Sequence, residues 1–219
     1  MLGAPGAGKG TQAARLAERL GLPHVASGDL FRSHIRAGTP LGKKVSGYLA
    51  RGALAPDELT VQLVVDRLGQ ADAADGAILD GFPRTRPQAE ALDAILGRSG
   101  EAVAGALYID VDREVLLRRL SGRWICTATD DHVYHELTLP PKVAGVCDVD
   151  GEPLYQREDD APATVAARLD RQLPPMYEVV DYYSEHGVLS AVDGDQPVAD
   201  VTDALLRAIA QPASASGAV

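Results

Sequence analysis

The sequence predicts a three-layer α/β/α fold built on a five-stranded parallel sheet, and three observations lead there. A glycine-rich anion loop feeds directly into a helix. Short apolar runs alternate with stretches of helical periodicity. One polar, aperiodic stretch interrupts the alternation, as a small β-rich insertion does.

The loop is Gly3-Ala4-Pro5-Gly6-Ala7-Gly8-Lys9-Gly10-Thr11. Gly3, Gly6, Gly8 and Gly10 lack the Cβ atoms that would keep backbone N–H groups from converging on an anion. In such a P-loop, Lys9 reaches the outer phosphates as a point charge and the Thr11 hydroxyl ligates Mg²⁺. Here Gly10 separates Lys9 from Thr11, a subfamily variation of the more common Lys-Ser/Thr order. Ala13, Leu16, Ala17 and Leu20 follow at helical spacing and Gly21 ends the run, so the loop sits at a helix N-terminus, where the macrodipole favours phosphate. Only Met1 and Leu2 stand before Gly3, so the strand expected to precede the loop is largely missing. Its neighbours would then keep unpaired ladder groups, and the expected working protein carries further upstream residues.

Pro23–Ala26, Ala77–Asp80, Ala106–Ile109 and Val188–Val192 read as buried parallel strands. Between them, Leu41, Val45, Tyr48 and Leu49 mark one helix, and Leu59, Leu63, Val64 and Leu68 another. Leu92, Ile95 and Leu96 mark a third, and Val115, Leu116 and Leu120 a fourth. Periodicity fails from Gly122 to Asp160, where Pro140-Pro141, Gly145 and Gly151 fall, so this segment reads as the β-rich insertion. Helical patterning resumes at Thr164, is expected to break at Pro174-Pro175, and continues to Tyr183. The Ser/Ala/Gly tail after Ala210 is expected to be disordered.

The 219 residues suffice for one core with an inserted unit. A net charge of −10 argues against nonspecific nucleic-acid binding, so phosphate must be held by locally placed cations. Apolar runs are too short for a bilayer and no leader is evident, which points to a cytoplasmic protein without membrane or nucleic-acid partners, and the lack of a surplus amphipathic or coiled segment to a monomer. Two cysteines, Cys126 and Cys147, make a disulfide framework improbable there.

Ligands in open parallel sheets bind at the carboxyl ends of strands. Ser27-Gly28-Asp29-Leu30-Phe31-Arg32 follows one strand; Asp80-Gly81-Phe82-Pro83-Arg84, then Gln88, follows the next. Asp80 is placed to hold Mg²⁺ through water. Arg32, Arg84, Arg119, Arg123, Arg157 and Arg168 fall beside glycine hinges and strand ends in an acidic chain, and guanidinium forks bind several phosphates bidentately.

Taken together, these motifs resemble a long-lid bacterial adenylate kinase. Gly-Arg-Trp-Ile-Cys at 122–126, Tyr-Gln-Arg-Glu-Asp-Asp at 155–160 and Asp-Gly-Asp-Gln-Pro-Val at 193–198 add to the match, which extends from Gly3 to Ala210. The resemblance implies a core at 1–25, 56–121 and 161–210, a helical AMP-binding domain at 26–55, a lid at 122–160 and a tail at 211–219. It implies reversible, Mg²⁺-dependent transfer, ATP + AMP = 2 ADP. On the ATP side it implies Gly6, Ala7, Gly8, Lys9, Gly10 and Thr11, with Arg119, Arg123, Val133, Tyr134 and Gln196. On the AMP side it implies Ser27, Arg32, Ala53, Leu54, Ala55, Gly81, Phe82, Pro83, Arg84 and Gln88. Lys9, Arg84, Arg123, Arg157 and Arg168 would be catalytic, the last two also touching AMP; Thr11 and Asp80 would serve Mg²⁺. Asp159 and Asp160 would latch the closed state, and Trp124 stands where many such enzymes carry a second Arg.

Lids of this kind are held by zinc or by a hydrogen-bonded polar cluster. Cys126, His132, Cys147 and Asp150 are the candidate zinc ligands, with Asp130 or Asp131 as alternatives to His132. The competing reading is two free thiols in a lid core, with Thr129, His132 and Asp150 hydrogen-bonded. Rival functions are a GTP:AMP phosphotransferase, another nucleoside monophosphate kinase, or a truncated, inactive nucleotide-binding protein. A switch GTPase would need an Asn-Lys-x-Asp guanine reader, which the sequence lacks.

Overall fold

The computed structural model describes residues 1–129 and 132–210. The expected tail, and Asp130 and Asp131, lie outside them. Five short strands run parallel in two ladders. The first joins β1 (Leu2–Gly3), β4 (Ala106–Asp110) and β8 (Leu189–Asp193); the second joins β2 (His24–Ala26) and β3 (Ile78–Asp80). β1 pairs Leu2 with Tyr108 and Gly3 with Ile109. On its other side the Met1 amine donates to the Leu79 carbonyl at 2.7 Å, so the ladders abut at β3 through that bond. The thin first strand is as expected, and β4 nevertheless has partners on both sides.

Helices α1 (Lys9–Leu20), α5 (Arg86–Ser99), α6 (Arg113–Ser121), α7 (Pro162–Glu185) and α8 (Val198–Ala210) accompany the sheet. Leu16, Ile109, Leu116, Leu120, Leu169, Val179, Tyr183 and Leu205 interlock as the main core. α5 starts on an N-cap, the Thr85 hydroxyl accepting from the Gln88 N–H, with a proline in its first turn. α7 runs unbroken through Pro174 and Pro175, contrary to the expected interruption. The carbonyls robbed of donors belong to Asp170 and Arg171, both exposed and able to bond water. Meanwhile Val165, Leu169, Met176, Val179 and Tyr183 bury one face of the helix, and that packing outweighs the local penalty.

Helices α2 (Ser27–Arg36), α3 (Pro40–Ala50) and α4 (Asp57–Leu68) form a separate cluster around Phe31, Val45 and Ala55, with Leu59 and Leu63 packed on it. Gly42 of α3 lies so close to the His34 carbonyl that any Cβ there would collide with backbone. The aperiodic segment is indeed a small sheet: β5 (Arg123–Cys126) lies between antiparallel β6 (Val133–His135) and β7 (Leu154–Tyr155). Among the described residues no helix is long and apolar enough to cross a membrane.

Candidate active site

The anion loop turns on Gly6 and Gly8, whose φ angles of 84° and 94° are left-handed values that favour glycine. Gly6 also nests against Leu120 and the Leu116 carbonyl, so a side chain there would collide with α6. The first bond of α1 runs from the Gln12 N–H to the Gly8 carbonyl at 3.0 Å. Earlier N–H groups of a helix have no partner within it, which makes this end a receptor for phosphate. Lys9 folds back so that Nζ donates to the Ala4 carbonyl at 2.9 Å. Burial drives its pKa from 10.5 down to about 7; Asp80 opposes the drop, and Arg84, Arg168 and Arg123 add to it. Thr11 is exposed on the first turn.

Asp80 ends β3 across the loop, with its Oδ2 only 3.4 Å from where a Cβ on Gly10 would sit. Burial penalises its charge, yet His24 (Nε2 to Oδ2, 3.4 Å), Lys9 and the N-terminal amine together hold its pKa down at about 2. The carboxylate is therefore ionised and beside the phosphate loop, as a water-mediated Mg²⁺ ligand must be. His24 went unnoticed in the sequence; its signal is the parallel register that pairs it with Ile78, two residues short of Asp80.

A cleft of about 520 Å³ opens beside this corner. It gathers Ser27, Arg32, Ala53, Leu54, Ala55, Gly81, Arg84, Gln88 and Arg168, and it adds Gln172, which the sequence reading missed. The Ser27 hydroxyl donates to the Gly81 carbonyl (2.6 Å), and Arg84 Nε donates to the same oxygen (2.6 Å). Gln88 is buried, accepting from the Arg84 N–H (2.8 Å) and donating to Asp57 (2.7 Å). Arg32 is held by Asp29 one turn earlier. Pro83 lines the adjoining cavity with Lys9, whereas the Phe82 ring is sunk in core beside Val64 and Leu92.

Arg123 at the start of β5 and Arg168 of α7 meet on one carboxylate. Arg123 grips Asp160 through Nε and Nη2, both at 2.7 Å, and Arg168 Nη1 reaches the same carboxylate at 2.7 Å and Asp159 at 3.0 Å. Asp160 is fully buried between them. Nε of Arg168 is buried with no hydrogen-bond partner among the described residues. Burial, partly offset by acidic neighbours, pushes the pKa values of Arg84, Arg123 and Arg168 down, and the repulsion includes Arg157 in each case. A guanidinium stays protonated regardless, so the cleft holds concentrated positive charge. Arg119 lies at the far side, bonding the Gly194 carbonyl at 3.0 Å and Asp195 at 3.2 Å; Gln196 is exposed there and donates to Asp193. Val133 and Tyr134 are in β6, and the Tyr134 hydroxyl lies 3.4 Å from Cys147 Sγ and accepts from the Asp148 N–H at 2.7 Å.

Beside the small β5–β7 sheet, one ligand atom each from Cys126, His132, Cys147 and Asp150 lies within 4.8 Å of the other three. Asp150 receives Cys126 Sγ at 3.2 Å and His132 Nδ1 at 3.0 Å. Hydrogen bonds, first from Cys147 and then from the Glu152 N–H, hold the Asp150 pKa at about 2. Burial raises the Cys126 thiol; Cys147 is lowered, because bonds from Tyr134 and from backbone N–H groups outweigh its burial. Two thiols, an imidazole and an ionised carboxylate at this spacing fit tetrahedral Zn²⁺.

A model of the adenylate kinase family matches residues 1–188. The adenylate kinase of Lachnospira eligens is 48% identical over 94% of this chain and 97% of its own length. Those of Listeria monocytogenes and Staphylococcus aureus are each 46% identical over 92% of this chain, and over 93% and 94% of their own lengths. With the family model covering most of its length and relatives nearly half identical along almost all of it, the chain belongs to the adenylate kinase family.

Proposed function

We propose that the chain catalyses ATP + AMP = 2 ADP, with ATP phosphates on the Gly6–Thr11 loop and AMP in the cleft between Ser27, Arg32, Ala53–Ala55 and Gln88. The observation that carries this reading is the cation cluster itself. Loss of water around Lys9, Arg84, Arg123 and Arg168 lowers the pKa of each, and neighbouring cations lower it further, so the cluster is unfavourable until an anion enters.

Phosphoryl transfer asks a protein for alignment and charge neutralisation more than for covalent steps. Lys9 and the α1 N-terminus would orient the donor's outer phosphates. Arg84, Arg123, Arg157 and Arg168 would neutralise the charge that spreads over the moving group. Thr11 and, through water, Asp80 would hold the Mg²⁺ that travels with ATP, and the ion would supply further charge neutralisation to the phosphates. Gln88 would read the AMP base edge, and Arg119 and Gln196 would border the ATP base. We read 122–160 as the lid and 26–55 as the AMP-binding domain. Closure of the lid would exclude water, an otherwise competing phosphoryl acceptor.

The test is ADP formation from ATP plus AMP, run beside GTP and other nucleoside triphosphates as donors. Turnover with ATP and AMP, and tight binding of a mimic joining two adenosines through phosphates, is the expected result. A mimic that binds no better than ATP alone would overturn the proposal.

A further inference from the structure

Gln172 is buried on α7, 120 positions away from one of its partners and 88 from the other. Its Nε2 donates to the Gly52 carbonyl at 2.7 Å, and its Oε1 accepts from Arg84 Nη1 at 3.2 Å. The amide supplies a donor and an acceptor from one planar group, so the two contacts fix its orientation together. Gly52 belongs to the turn between α3 and α4, immediately before Ala53-Leu54-Ala55 of the cleft wall. That turn lies directly on the helix: a Cβ on Gly52 would sit 2.9 Å from the Arg168 Cβ. Arg171 adds a second tether, Nη1 to the Arg51 carbonyl at 2.6 Å.

We propose that Gln172 is a positioning residue that couples docking of the 51–55 turn on α7 to the aim of Arg84. Arg84 Nε is already held by the Gly81 carbonyl at 2.6 Å, so Gln172 fixes the guanidinium's second end. When the turn lifts away, the amide loses the partner that orients it and the grip on Nη1 loosens. The guanidinium is then fully aligned only while the cleft wall is seated. The inference rests on the assignment of this cleft to AMP.

The experiment compares Gln172→Leu and Gln172→Glu with the unaltered chain, measuring AMP and ATP dissociation constants by calorimetry together with kcat and KM. Leu keeps the volume and loses both bonds. Glu keeps the acceptor for Arg84 and loses the donor to Gly52. Both substitutions are expected to weaken AMP about tenfold while ATP affinity stays within about twofold, the size expected for losing one or two buried hydrogen bonds. At saturating AMP, Leu should lower kcat about tenfold, while Glu should hold it within about threefold because Arg84 keeps its acceptor. A merely structural role would move both nucleotides together. Equal losses for ATP and AMP, or unchanged AMP binding in both variants, would overturn the coupling. If the unaltered chain itself fails to bind AMP, the assignment of the cleft falls, and this inference with it.

Discussion

The phosphate cleft and the lid cluster both crowd ionisable groups into little space, yet their charge balance differs. In the cleft, Lys9, Arg84, Arg123, Arg157 and Arg168 outnumber Asp80, Asp159 and Asp160, and the surplus is positive. In the lid, two thiols, an imidazole and a carboxylate already satisfy one another at hydrogen-bond distance. An unbalanced site is built for an anion that comes and goes. A converged set of donors suits a cation that stays.

The sharpest way to break this contrast is to remove a cleft cation. Arg84→Ala or Arg123→Ala should cost about 100-fold or more in turnover, by the scale of arginines that stabilise a moving phosphoryl group. A near-normal rate for either would show that the surplus charge is not catalytic.

Next comes the lid. Elemental analysis of the purified protein should find one zinc per chain, and Cys147→Ser should abolish it and lower the melting temperature by several degrees. A metal-free protein whose lid resists a strong chelator would show that the polar cluster suffices without an ion.

A subtler effect concerns Lys9, whose pKa in the nucleotide-free protein falls to about 7. Above that pH the amine is largely neutral, and a bound phosphate should raise its pKa again. ATP binding at pH 8 should therefore take up close to one proton, measured by calorimetry in buffers of different ionisation enthalpy, and Lys9→Met should abolish the uptake. Proton release would reverse the sign of the electrostatic argument. Smallest of all, raising ionic strength from about 0.05 to 0.5 M should weaken nucleotide affinity several-fold and leave zinc content untouched.

How much of this was legible depended on the range of the interaction. The loop, Asp80 and the strands announce themselves through local glycine spacing and apolar runs, and the structure places them where that spacing implies. Helix α2 falls inside the stretch expected to be helical, although its first turn, Ser27-Gly28-Asp29, carries no apolar periodicity of its own. Helix α8 carries a weak local signal, Val201, Leu205 and Ile209 recurring every four residues. The unbroken course of α7 was hidden because tertiary packing, not propensity, decides it. The bonds from Gln172 to Gly52 and Arg84 leave no trace in any sequence window, since their partners meet only once the helix docks.

The single tryptophan of the chain, Trp124, sits in β5. It packs against the Cys126, Tyr134 and Cys147 cluster and directly follows Arg123, which grips Asp160 in the turn just before α7. Its indole therefore reports optically from one place, the joint between the small sheet and the body of the molecule. Fluorescence excited at the red edge of protein absorption reads that joint alone, in native protein and without any attached dye.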